Sequence, residues 1–205
     1  MKREEGEMKK VVFLCLAVFP LLMCSGIVYT ILSLFIADFG ATKTQIGFLY
    51  TSSALAGAIS SPLLGRLGDK IGKRPLLIGA MGLFVFVFGG FSLARNLKDL
   101  LIIMIVEGSA WGAIGISATS LIADLVPSER RGTALGIYNT AWNLGWIIGP
   151  IVGGMFSDNF GFRKTFFFAS LFILVGIIIA LLILPQDPKK ASDSKDEPSE
   201  AVQES

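Results

Sequence analysis

The stretch GRLGDKIGKR, residues 65–74, sets one aspartate among four basic residues and three glycines, between two long apolar runs. GMFSDNFGFR, residues 154–163, returns the pattern G-x-x-x-D-x-x-G-x-R 89 positions later with most of the basic residues gone. Sliding the chain by that distance also pairs Gly47 with Gly136, Thr51 with Thr140, Leu55 with Leu144 and Ile59 with Ile148. Together with Gly65, Asp69, Gly72 and Arg74 on Gly154, Asp158, Gly161 and Arg163, this makes eight identities in 28 positions. The chain contains an internal repeat.

The surrounding composition says where the repeat sits. Of 205 residues 53% are hydrophobic and 17% charged, and the mean hydropathy is +0.68, far above that of ordinary soluble domains. The charges gather at the ends and in short connections, leaving six apolar runs long enough to cross roughly 30 Å of hydrocarbon. Their expected extents are residues 11–36, 44–64, 75–93, 99–125, 133–156 and 164–184. Unsatisfied backbone groups are costly in lipid, so each run is expected to be a helix. The first run is too long for a signal-peptide core and reads as a retained span.

Three spans separate the two copies, so the second copy is expected upside down relative to the first, a 3+3 inverted repeat of about 11–93 and 99–184. Thirteen basic residues, including Arg66, Lys70, Lys73, Arg74, Arg130 and Arg131, fall on one side; Lys43, Arg95, Lys98, Arg163 and Lys164 fall on the other. That imbalance places both termini in the cytoplasm. The domain reading is therefore a cytoplasmic segment 1–10, an all-α six-helix membrane domain 11–184 and a polar, disordered cytoplasmic tail 185–205. Physically, the glycines of the first stretch are expected to let two helices turn back, while Asp69 accepts hydrogen bonds from a helix N-terminus or a guanidinium.

With these residues in view, the chain resembles the N-terminal half of a major facilitator superfamily transporter. GRLGDKIGKR is similar to that family's cytoplasmic loop between helices two and three. IADLVPSERRGTALGIYNTAWNLGWIIGP, residues 122–150, is similar to its passage from helix four into helix five. GWIIGPIVGG, residues 145–154, is similar to the G-x-x-x-G-P-x-x-G-G motif of the antiporter branch, drug efflux above all. The resemblance implies secondary transport by alternating access, with Asp69 and Asp124 in a conformational gate with Gly65, Gly72, Lys73, Arg74 and Arg130. Two departures stand out. The family's helix-four motif often carries an arginine where this chain has Met104, which puts proton antiport by that route in doubt. The family usually has twelve spans, where this chain has six. A parallel homodimer, a different partner chain or a fragment of a longer protein would each account for six spans.

Candidate site residues follow from the cost of polarity in lipid. Glu107 is the one acid well inside a span, where a charge costs roughly 2.5–3.5 kcal/mol on insertion scales. It either titrates with transport or contacts a cationic substrate, or it is satisfied structurally. Asn139 and Asn143, one turn apart, are expected to face the interior, as ligand contacts or as ties between helices. Trp142 and Trp146 beside them read as packing. Tyr29 is placed within reach of a cavity. Gly145, Gly149, Gly153 and Gly154 with Pro150 form a helix-packing face, expected between the two halves. The third and sixth runs are apolar nearly all round and should meet lipid. Cys15 and Cys24 point to opposite faces of one helix and cannot pair.

The implied partners are the bilayer and a small solute, coupled to protons or sodium. No cofactor, metal or nucleic acid is expected. An enzyme is disfavoured because the chain has no histidine, no zinc-type motif and no paired carboxylates within one span. A channel is disfavoured because no filter-like or ring-forming acidic segment is present.

Overall fold

A computed structural model describes residues 2–184 of the chain. Six α-helices run α1 (Lys2–Asp38), α2 (Lys43–Ile71), α3 (Lys73–Leu93), α4 (Leu97–Leu125), α5 (Arg131–Phe160) and α6 (Phe162–Ile183), with one 3-10 turn at Ser128–Arg130. There is no strand among the described residues. α1 starts at Lys2, so the helix already includes residues 2–10. The expected tail, 185–205, lies outside the described residues.

The connections are short because the sequence supplies the caps. Thr42 and Gln45 exchange hydrogen bonds at the start of α2, with Thr42 N donating to Gln45 Oε1 at 2.9 Å and Gln45 N donating to Thr42 Oγ1 at 3.3 Å. The Asn96 side chain accepts from Lys98 N and Asp99 N at the start of α4. The repeated glycine stretches act differently from expectation. Gly65 and Gly68 lie inside α2, which runs to Ile71, and Gly154 lies inside α5. Only Gly72, at φ 100°, and Gly161, at φ 79°, make the reversals. A single residue with positive φ suffices to end one helix and begin the next, and a side chain would resist that conformation.

Four helices, α1, α3, α4 and α6, are both long enough and apolar enough to cross a membrane, with mean hydropathy between 1.8 and 3.1 over their best windows. α2 and α5, at 29 and 30 residues, have the length but a more polar composition. They carry Ser52, Ser53, Ser60 and Ser61, or Asn139, Thr140 and Asn143, along their middles.

α1 runs through the centre of the packed unit, with Leu14, Leu21, Leu22 and Leu32 fully buried. It packs along α5 and α6, α2 packs along α4, and α3 fills in against α4 and α6. α3 and α6 each bury one side against these neighbours and expose apolar residues such as Phe86, Phe167 and Leu182 on the other. Cys15 and Cys24 are both buried and unpaired with each other.

Two of these contacts bring backbone against backbone. At the α1–α5 crossing, a Cβ on Gly149 would fall 2.6 Å from Gly26 Cα and 2.7 Å from Met23 O, and one on Gly153 would fall 2.6 Å from Ile27 O. Gly145 meets Leu22 in the same way. The glycine face of α5 is therefore turned inward onto α1, a correction to the expectation that it lies between halves. Gly154 has open space around it and takes no part. Lipid tails are as apolar as the helix surfaces, so such close approach supplies the dispersion attraction that water would otherwise drive.

Two arginines join the ends of α3 and α6 reciprocally. Arg74, at the start of α3, donates from Nη2 to Leu181 O at 2.7 Å near the end of α6. Arg163, at the start of α6, donates from Nη1 to Ser92 O at 2.8 Å and from Nη2 to Ala94 O at 2.6 Å at the end of α3. Residues 74 and 163, and likewise 92 and 181, stand 89 positions apart. Each guanidinium satisfies carbonyls that a helix C-terminus leaves open.

Gly149→Ala should lower the stability of the purified protein by about 1–3 kcal/mol, the usual cost of overpacking. Gly154→Ala, five residues further along the same helix, should leave it nearly unchanged. Thermal unfolding of the two variants in one detergent reads the difference.

Candidate functional site

A cavity of about 550 Å³ lies where α1, α2, α4 and α5 converge. Tyr29 comes from α1; Tyr50, Ser53, Ala54, Gly57 and Ala58 from α2; Glu107, Gly108, Trp111 and Gly112 from α4; Trp142 and Trp146 from α5. The chain has three tryptophans, and all of them line this one space. Ala54, Ala58 and Trp146 are exposed, so the cavity opens to the outside of the six-helix unit.

The glycines of α2 and α4 build the polar end of the site. A Cβ on Gly57 would lie 2.8 Å from Gly108 O, and one on Gly108 would collide with the Ser53 carbonyl. Without those side chains, the α2 backbone reaches α4 closely enough for the Ser53 hydroxyl to donate to Glu107 Oε2. Glu107 is only 2% exposed. Its carboxyl, buried with no cation in contact among the described residues, is held by a neutral hydroxyl donor, which answers the question that its position in the sequence raises.

The aromatic end is locked by mutual contact. Trp111 Nε1 donates to Tyr29 Oη at 2.7 Å, so the Tyr29 hydroxyl is at the cavity wall and oriented. Tyr29 stacks on Trp146 with ring centroids 6.1 Å apart and 18° between planes. Trp142 meets Trp111 at 5.1 Å, and Phe84 backs Trp111 edge-on at 4.9 Å. Such contacts add about 0.5–1.5 kcal/mol each beyond burial and hold the rings in place. The result is a wall of π-faces with one carboxyl at its base.

Asn139 and Asn143 are not in this cavity. Both are exposed on the outer side of α5, and Asn143 Nδ2 donates to Asn139 O at 2.8 Å. Trp142 and Trp146, one turn apart on the same helix, occupy the cavity wall instead, together with Trp111, Tyr50 and Ser53. The one-turn spacing that made the asparagines conspicuous places both pairs on stripes, and the sequence cannot say which stripe turns inward. Glycines at 57, 108 and 112, facing each other across α2 and α4, were the signal that would have found Ser53.

The gate candidates lie at the other end of α2 and α4. Lys73 Nζ contacts Asp124 Oδ2 at 2.5 Å, joining the start of α3 to the end of α4. With 28% and 45% of the two side chains exposed, the pair contributes little net stability and serves to set the distance between these ends. Arg74 is engaged with α6 as described. Asp69 is exposed and makes no ion pair with the other described residues. Among the described residues, no three His, Cys, Asp or Glu side chains gather as a metal site would require.

Comparison with known proteins identifies the family. The family model of the Major Facilitator Superfamily matches residues 14–203, and the chain belongs to that family, a family of multi-pass cell-membrane transporters and not of enzymes. It is 31% identical over 188 residues to the quinolone resistance protein NorA of Staphylococcus aureus, covering 91% of this chain and 47% of that protein. It is 29% identical over 181 residues to the multi-drug resistance efflux pump PmrA of Streptococcus pneumoniae, covering 86% and 45%. The crystal structure of the human organic anion transporter MFSD10 (TETRAN) superposes with a TM-score of 0.74 at 18% identity, covering 87% of this chain and 48% of that one. The chain spans about half the length of the curated relatives it matches.

Ser53 and Glu107 should be energetically coupled. A double-mutant cycle of Ser53→Ala and Glu107→Gln, read by unfolding in detergent, should return about 1 kcal/mol of coupling, within the range of buried hydrogen bonds between membrane helices. Gly108→Ala, which drives α2 away from α4, should remove that coupling altogether.

Proposed function

We propose that the chain is one six-helix half of a secondary transporter that exports small, drug-like solutes by alternating access, and that it works against a second six-helix unit. The observation that carries this reading is the convergence of all three tryptophans, two tyrosines and a buried carboxyl on one cavity. Stacked π-faces attract flat aromatic rings, and cations held over them gain about 0.5–2 kcal/mol each. Glu107 supplies the complementary charge when it gives up its proton. An aromatic, positively charged solute satisfies both ends of the cavity, in keeping with the drug-resistance and efflux names of two relatives.

The half is read as a 3+3 inverted repeat with both termini in the cytoplasm. The reciprocal bonds of Arg74 and Arg163, and the one-residue glycine turns at 72 and 161, support it because both recur at the 89-residue period. Rocking of the two units about the cavity would expose it to each side in turn, coupled as antiport to protons or sodium. Gly65, Asp69, Gly72, Lys73, Arg74, Asp124 and Arg130 form the cytoplasmic gate in this reading. Asp69 stands exposed, where a neighbouring unit can reach it.

A second unit, whether a copy of this chain or another half, belongs on the outer sides of α2 and α5. Phe48, Leu55, Ile59 and Leu63 of α2 and Ile147, Ile151 and Met155 of α5 are exposed there, beside the cavity mouth and Asn139 and Asn143. The alternative is an accessory half without transport of its own, which the half-length match to the relatives also accommodates.

Purified protein reconstituted alone in vesicles decides between them. With an imposed pH gradient, wild type should accumulate ethidium, and ethidium should quench the tryptophan fluorescence. Glu107→Gln should lower uptake at least tenfold and flatten its dependence on pH, whereas unchanged, still pH-dependent uptake removes Glu107 from the mechanism. No uptake by wild type that nonetheless binds ethidium favours the accessory half.

A further inference from the structure

A second concavity, of about 460 Å³, lies away from the central cavity, between α1, α5 and α6. Its walls are hydrocarbon, and the polar atoms it contains are already engaged. Thr165 Oγ1 donates to Gly161 O at 3.0 Å, and Cys24 Sγ donates to Ala169 O at 3.3 Å. No side-chain donor in the crevice is left for a guest, and its other walls are hydrocarbon, which suits an occupant that is itself apolar along its length.

One wall ends in a charge. Lys164, Phe168, Phe172 and Val175 follow one another at intervals of four, four and three residues, and so form one stripe along α6. Phe168, Phe172 and Val175 line the crevice. Lys164 tops the stripe in the first turn of the helix, and its ammonium makes no hydrogen bond or ion pair among the described residues. That first turn also carries Arg163 and has no acidic residue; the Arg163 guanidinium is given to Ser92 O and Ala94 O, which leaves the Lys164 ammonium at the positive end of the helix dipole, an arrangement that an anion relieves. Asp38 shares the adjoining surface hollow with Arg163 and Lys164 and offsets only one of the two charges. The stripe spans about 16 Å of helix, close to the roughly 15 Å hydrocarbon depth of one leaflet.

We propose that this crevice is a binding site for one anionic phospholipid of the leaflet that holds the α5–α6 turn. One of its acyl chains lies along Phe168, Phe172 and Val175, and its phosphate sits at Lys164. The occupant is a lipid because the crevice is flanked by the exposed apolar face of α6 and offers a cation at the interface end with hydrocarbon below it. Neither a neutral solute nor a helix of a second copy matches that pairing. The site stands apart from the central cavity and does not depend on the transport reading.

The test uses the full chain in vesicles of equimolar phosphatidylglycerol and phosphatidylcholine, extracted in mild detergent and weighed by native mass spectrometry. Wild type should retain one phospholipid per chain, with phosphatidylglycerol favoured at least fivefold. Lys164→Gln should bring the ratio of the two lipids near one. Val175→Trp, at an exposed position, should lower retention at least fivefold with thermal unfolding unchanged, and Leu171→Trp on the same crevice replaces it if that protein does not fold. Equal retention in wild type and the tryptophan variant, or no preference for phosphatidylglycerol in wild type, overturns the proposal. So does a dimer mass that the tryptophan substitution abolishes.

Discussion

The structure depends on backbone meeting backbone where two pairs of helices cross without side chains between them. α1 lies on α5 through Gly26, Gly145, Gly149 and Gly153, and α2 lies on α4 through Gly57, Gly108 and Gly112. Within a bilayer, burial of apolar surface gives helices no reason to prefer one another over lipid, so dispersion at short range and buried hydrogen bonds must do the sorting. The first crossing holds the unit together through its central helix. The second brings a serine hydroxyl to a carboxyl that would otherwise stand alone.

Each crossing also decides what the neighbouring stripes do. Because the glycine stripe of α5 turns onto α1, Trp142 and Trp146 are carried to the cavity, and Asn139 and Asn143 to the outer face. Because α2 meets α4 so closely, Tyr50 and Ser53 are delivered beside Glu107 and Trp111. The cavity is thus a consequence of which helices approach without side chains, and its aromatic wall is held by the Trp111–Tyr29 hydrogen bond and the rings stacked around it. At the periphery, Arg74 and Arg163 tie α3 to α6 at both ends, keeping the outer helices in register with the inner ones.

Polarity is distributed in keeping with this. α3 and α6 carry their charges only in the first turn and expose hydrocarbon outward beyond it, while α2 and α5 carry hydroxyls and amides along their middles and are the helices too polar to qualify as spans on composition alone. A helix that lines a cavity or meets a second protein surface can afford groups that one facing lipid cannot. The exposed apolar faces of α2 and α5 are the ones that the proposed second unit would cover.

Six helices and the isolation of Glu107 were legible in the sequence, because hydrocarbon thickness dictates run length and the cost of a buried charge makes a single acid conspicuous. The 89-residue repeat was legible too, since Asp and Gly spacing survives where apolar residues interchange freely. Other features belonged to the tertiary structure. The glycine stripe of α5 could be recognised along the chain, but its partner, α1, could not. The two asparagines and two tryptophans share one helix at the same spacing, and only packing chose which pair faces the cavity. Three glycines in GRLGDKIGKR invited a loop, yet the helix runs through two of them and turns at Gly72, because hydrogen bonding along α2 continues until a positive φ ends it. Periodicity along one helix records its stripes; which stripe is inward depends on contacts between residues far apart in the chain.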